Sequence, residues 1–252
     1  MRRFLAITPT LCLFSAGVLA AERPYPRTVM DDRPVAYWRF EEPATEQKVA
    51  NLGSQETALD GRRVDVVLTK ESATAALGQA AIWDRATSRV ELAGPVSRWL
   101  NGTASLEFWI KTTQRGEGSW NAPALFGADS NGDGNDLFWG TNDGGRVGVR
   151  RGDSGPAALT RKPIDDNHWH HLVLVRDAAS GQMKAYLDGR LADTYDDRQP
   201  PAVRTEYRTI GKLESLPGEG APLSATIDEV AIYDYVLAPC QVKSHWKAAH
   251  RR

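Results

Sequence analysis

The sequence predicts an all-β chain in which two antiparallel sheets pack face to face, closed by one short C-terminal helix. Three observations carry that reading. Asp165 to Asp193, DDNHWHHLVLVRDAASGQMKAYLDGRLAD, opens with an apolar run from Leu172 to Val175 that suits a strand covered on both faces. Met183, Ala185 and Leu187 then alternate with Lys184, Tyr186 and Asp188, and Asp188-Gly189 supplies the positive φ angles of a two-residue type I′ hairpin. Ala104 to Thr113 alternates throughout, with Ala104, Leu106, Phe108 and Ile110 on one side and Ser105, Glu107, Trp109 and Lys111 on an expected wet face that still carries a tryptophan. Turn residues recur about every 8 to 12 positions along the rest of the chain, which is the spacing of a sandwich.

The bulk properties agree. With 252 residues, 41% of them apolar, and eight tryptophans, the chain can bury a large single core and is not disordered. A net charge of −1 gives no basic field for nucleic acid or an anionic membrane. Residues 1–21 read as a signal peptide: Arg2 and Arg3, then the apolar stretch Phe4 to Val18, then Val18-Leu19-Ala20 where a signal peptidase would cut. The apolar stretch is too short for a spanning helix and Pro9 interrupts it. The expected product is therefore exported, secreted or periplasmic, with no membrane insertion. Its removal takes Cys12 as well, leaving Cys240 with no intrachain partner.

In chain order, residues 22–34 form a polar arm or linker with Pro24, Pro26 and Pro34, and a first strand runs from Val35 to Glu42. Gln79 to Asp84 and Ser88 to Leu92 are short strands, and Ser97 to Leu100 is one helical turn. Ala124 to Gly127, Asp136 to Thr141 and Arg146 to Arg151 follow as strands, joined by loops rich in Asp, Asn and Gly. Tyr207 to Leu213 and Ser224 to Tyr233 complete the sheets. The helix opens at Ala238-Pro239 and places Val242, Trp246 and Ala249 on one face.

Five stretches taken in order carry a resemblance: VAYWRFEE at 35–42, SLEFWIK at 105–111, NHWHHLVLVRD at 167–177, YLDG at 186–189 and ATIDEVAIYD at 225–234. They resemble the successive landmarks of laminin G-like, concanavalin A-like lectin/glucanase domains. The likeness covers nearly all of a domain drawn at 35–250 and implies a jelly-roll sandwich. Such domains serve as lectins, adhesion modules and polysaccharide hydrolases or lyases, so the site has to decide the activity.

The acids do not follow the hydrolase pattern. Retaining glucanases of this fold carry Glu-x-Asp-x-x-Glu on one strand, and no such array occurs here. Glu41-Glu42 and Asp228-Glu229 are adjacent pairs, expected to point to opposite faces of a strand and so unable to flank one glycosidic bond. No catalytic residue is assigned. On that alternation Asp228 shares a face with Val230 and Ile232, and Glu229 with Ile227, Ala231 and Tyr233, so each carboxylate meets packed surface and needs a partner. The resemblance implies a structural calcium held by the C-terminal Asp, which makes Asp228 with Glu41 the expected calcium site and a salt bridge the competing reading. Asp129, Asn131 and Asp133 copy the first half of an EF-hand loop, although Gly140 stands where the bidentate glutamate belongs; a plain polar hairpin loop is the alternative. His168, His170 and His171 lack a nearby residue to complete a zinc set and read as scaffold.

Aromatics beside the loops give the ligand reading. Trp120, Trp139 and Tyr195 are candidates to stack on sugar rings, with Asn131, Asp133 and Asn142 as hydroxyl partners, unless they are packed core. The function so predicted is a secreted, non-catalytic module that recognises carbohydrate or another cell-surface ligand, with calcium as a structural ion. A hydrolase or lyase built from distant acids, and a purely structural protein-interaction domain, are the alternatives.

Overall fold

The structure is a computed structural model and describes residues 24–116, 122–129, 136–152, 155, 157–197, 206–214 and 220–250. Helix α1 (Tyr25–Asp31) precedes strands β1 (Ala36–Trp38), β2 (Lys48–Val49), β3 (Gly61–Val64), β4 (Val67–Thr69), β5 (Ala80–Trp83) and β6 (Arg89–Leu92). The single turn α2 (Ser97–Leu100) leads to β7 (Ala104–Lys111), β8 (Leu137–Asp143), β9 (Arg146–Arg151) and β10 (Ala157–Leu159). Then come β11 (Trp169–Asp177), β12 (Gln182–Leu187), β13 (Arg190–Asp196), β14 (Thr209–Ile210), β15 (Ala225–Tyr233) and helix α3 (Pro239–Ala249).

One sheet has the order β13-β12-β11-β7-β15-β5-β4, with β1 added beside β15; opposite it lie β10-β9-β8 and β14-β6-β3-β2. All these strand pairs are antiparallel, as the alternating sequence patterns require. The chain is the expected sandwich. Its main core joins Leu106, Phe108 and Ile110 of β7 and Leu172 and Leu174 of β11 to Leu92, Trp139, Val147 and Val149 of the facing sheets. Burying each such side chain contributes roughly 1.5–3 kcal/mol relative to exposure.

The Asp165 to Asp193 meander appears as expected. Leu187 pairs with Arg190 across the turn, and Asp188 and Gly189 take φ of 50° and 73°. A Cβ on Gly189 would lie 2.9 Å from the Cβ of Trp246, so both the turn and the close approach of α3 require glycine there. Ala124 to Gly127 differs from expectation: it makes only a single bridge, Phe126 to Trp139 of β8, and just beyond it Ala128 bridges Glu214, four residues past β14.

The face of β7 expected to be wet is covered. Tyr25 and Val29 of α1 and Val242, Ala248 and Ala249 of α3 pack on Trp109, Val173, Val175, Tyr186 and Tyr233, a second core outside the sandwich. Trp109, Tyr186 and Tyr233 present too much apolar surface on that face to be left to water. The prolines at 24 and 26 start a helix where a linker was expected: Pro24 is the N-cap and Pro26 sits in the first turn, where a missing N–H costs nothing. Cys240 is disulfide-bonded in the full chain, whereas the expectation that it stands alone concerns the chain after removal of residues 1–21; Cys12 lies outside the described residues.

Candidate functional site

The two adjacent acids on β15 do not alternate. Asp228 pairs with Trp109 and the next pair is Ala231 with Glu107, so three steps along β15 match two along β7. This is a bulge, and Glu229 absorbs it with φ of 54°. Ile227 and Val230 both face the inner core while Ala231 and Tyr233 face the outer one, which leaves Asp228 and Glu229 together on the outer side. The expectation that they point to opposite faces is therefore corrected: strict alternation fails where a residue is inserted into the ladder. Both carboxyl groups are fully buried, with 0% exposure, so neither meets a polysaccharide.

Their partners differ. Glu229 takes the salt bridge, at 3.0 Å from Arg39 Nη2 and 3.1 Å from Arg39 Nε, and also accepts the Tyr37 hydroxyl. Burial pushes its carboxyl up to about 7 even with the Arg39 charge drawing it down. Asp228 accepts Ser72 Oγ at 3.2 Å on Oδ2, whereas Oδ1 is buried with no hydrogen-bond partner. Burial and the neighbouring Glu229 charge hold Asp228 well above the ordinary carboxylate range. Glu41 lies at the mouth of this group, its Oε1 accepting the Gln79 N–H at 2.8 Å and standing 3.8 Å from Arg39. Gly78, at φ of 84°, brings its backbone so close that a Cβ would sit 2.1 Å from Glu41 Oε1.

An orphaned carboxylate oxygen beside a second buried acid is a defect that a hard cation removes, so the residues present fit calcium. Among the described residues no group of three or more His, Cys, Asp or Glu converges as a ligand set, so main-chain carbonyls and water would have to supply the remaining donors. Of the second candidate set, Asp129 is described and partly buried, while Asn131 and Asp133 lie outside the described residues.

A second polar cluster, not anticipated from the sequence, lies under α1 and α3. Glu107 of β7 accepts Tyr25 Oη at 2.9 Å and Tyr233 Oη at 2.8 Å, with His171 Nε2 at 2.7 Å and His245 Nδ1 at 2.8 Å. His245 Nε2 reaches Asp32 at 2.8 Å, so the ring of α3 is held between two carboxylates. Burial alone would raise Glu107, but the His245 charge and the bonds from both histidines hold it well below the usual carboxylate range. Burial likewise opposes a charge on His245, and Glu107 and Asp32 overcome it, moving the ring up to about 9. The cluster fastens both helices to the sheet. Its one visible signal was Trp109, two residues along from Glu107 on a face expected to be wet.

The expected ligand residues are scattered. Trp120 lies outside the described residues. Trp139 is buried at 0% exposure in the main core, its ring N–H donating to Leu100 O at 3.2 Å, which removes it from any sugar surface. Asn142 is corrected too: it is buried, donates to Gln114 O at 2.7 Å and accepts the Gly145 N–H at 3.0 Å, shaping the β8–β9 turn. Tyr195 on the edge strand β13 is 43% exposed and remains open to a ligand. His171 is scaffold within the Glu107 cluster, and His170 bonds Asp188 at 3.0 Å beside the hairpin turn.

Residues 84–243 match the family model described as the concanavalin A-like lectin/glucanases superfamily. A stretch of 98 residues is 28% identical to the sushi, von Willebrand factor type A, EGF and pentraxin domain-containing protein 1 of Rattus norvegicus; it covers 36% of this chain and 3% of that relative's length. The fold is similar to domain 4 of AbnA, a GH43 extracellular arabinanase from Geobacillus stearothermophilus, in complex with arabinotriose: TM-score 0.58 and 18% identity over 86% of this chain and 98% of that one. It is also similar to the binding domain of Paraclostridial Mosquitocidal Protein 1, with TM-score 0.61 and 14% identity over 86% of this chain and 52% of the other. The receptor-binding domain of a botulinum neurotoxin C/D mosaic serotype gives 0.60 and 12% over 86% and 51%. At these identities the structural likenesses establish the fold alone.

Proposed function

We propose that this chain, which belongs to the concanavalin A-like lectin/glucanases superfamily, is an exported, non-catalytic module that binds carbohydrate on a polymer or cell surface, with a calcium ion at Asp228 and Glu41. The observation that carries the reading is the state of its acids. Asp228 and Glu229 are sealed beneath the surface, one with an orphaned oxygen and the other neutralised by Arg39, an arrangement that suits an ion or a structural bond and leaves no pair astride a substrate. Similar folds are named as a domain in complex with arabinotriose, a receptor-binding domain and a binding domain, which agrees with a binding role. Among the described residues no helix is long and apolar enough to cross a membrane. Asp129, Asn131 and Asp133 remain a second proposed calcium loop, and Tyr195 with Trp120 the proposed sugar-stacking aromatics.

A glycan array probed with the chain lacking residues 1–21 tests the reading. Binding to a defined set of glycans, weakened at least about fivefold by Tyr195→Ala through loss of a stacking contact, is expected. An array with no glycan bound, in calcium or in chelator, would instead favour a protein-interaction domain.

A further inference from the structure

Away from the acids, the β12–β13 hairpin, the segment before β11 and helix α3 border an open cleft of about 380 Å³. Its floor and one wall are apolar: Leu187 and Leu191 from the hairpin and Trp246 from α3. Leu191 is 55% exposed, the most exposed large hydrophobic side chain among the described residues. Around it stand Arg161, Lys162 and Arg190, all exposed, and none of these side chains makes an ion pair among the described residues. The one acid in the lining, Asp188, is already engaged, with Oδ2 3.0 Å from His170 Nδ1 and Oδ1 accepting the His171 N–H at 3.0 Å. Nearby Asp193 accepts the Leu159 N–H at 3.4 Å. Trp246 is fixed in place by Gly189 below it and by the His250 ring, whose centroid is 4.5 Å from its own.

Three uncommitted cations around an aromatic and aliphatic floor match a small ligand that is anionic at its edge and apolar on one face. A pyranose bearing a sulfate or carboxylate has that shape, and the cleft volume falls within the range of roughly 300–1,000 Å³ found for small-molecule sites. The chain as a whole carries a net charge of −1, so the three cations are a local feature of the cleft and not part of a positive field set by the whole chain. We infer that this cleft binds an acidic sugar unit, sulfated or carboxylated, of a glycan chain. The inference rests on the glycan-binding reading and specifies a charge for the ligand at a site separate from Asp228 and Tyr195.

The test is calorimetric titration of the chain with a sulfated heparin tetrasaccharide, a galacturonate tetrasaccharide and neutral arabinotriose, each at low and high salt. Two variants accompany it: the triple Arg161→Ala/Lys162→Ala/Arg190→Ala, and Leu191→Asp, both altering only exposed positions. One of the acidic tetrasaccharides is expected to bind, more weakly at high salt, and to lose roughly tenfold or more in each variant. Sulfate or carboxylate is identified by which of the two binds. Equal binding by both variants, no binding of either acidic probe, or equally tight binding of a DNA duplex would overturn the inference. If arabinotriose or an array glycan binds while both acidic probes fail, the glycan-binding reading survives and this inference does not.

Discussion

Glu107→Ala is expected to lower the unfolding free energy by about 3–5 kcal/mol, the scale found when one member of a buried ion pair is removed. Glu107 accepts from two tyrosines and two histidines, and of the four only His245 has another carboxylate partner after the change. His245 would keep only Asp32, so its charge would sit in a site built for two carboxylates. Since α1 and α3 meet the sheet through this cluster, their apolar contacts with Trp109 and Tyr233 loosen with it. Urea denaturation read by tryptophan fluorescence checks the loss.

The same cluster sets a pH dependence. His245 has its folded value raised to about 9, so its contribution is complete below the unfolded value near 6.5 and is lost as pH rises through 9. Glu107 is depressed, so its contribution is present above the ordinary carboxylate range and is lost as pH falls below it. Stability from this source is therefore greatest between about pH 4.5 and 6.5, and a His245→Gln variant should lose the alkaline limb of the profile.

Calcium should raise the melting temperature of the parent chain, by an amount equivalent to about 2.7 kcal/mol at a hundredfold excess over the dissociation constant. Asp228→Asn should abolish that rise. In chelator the same substitution should be neutral or mildly stabilising, because it removes a charge from a fully buried oxygen pair of which one member has no partner and whose neighbour is Glu229. Scanning calorimetry of both chains, with calcium and with chelator, gives all four values. A parent chain indifferent to calcium removes the ion from the account and leaves Asp228 as a buried acid held by Ser72.

The strands were legible because their signals are local. β7, β11 and β12 show their pairing in apolar alternation, and Asp188-Gly189 names its own turn. The site was less so, for two physical reasons. The bulge at Glu229 inserts one residue into a ladder and turns its side chain to the face of Asp228, and nothing in IDEVAIY marks where that insertion falls. Coverage of the outer face depends on Tyr25 meeting Glu107 across 82 residues of sequence, a long-range contact with no periodic signature. Trp139 was misplaced for a related reason: it lies between polar loops in sequence but turns inward in space.

The most direct measurement of the central claim, binding without turnover, is reducing-end release from any glycan the chain binds, followed over a prolonged incubation in calcium. Binding with no new reducing ends above a protein-free control is the predicted result. Steady release that disappears in Glu229→Gln would contradict it, because a carboxyl sealed behind Arg39 and Tyr37 would then have to be an exposed catalytic acid.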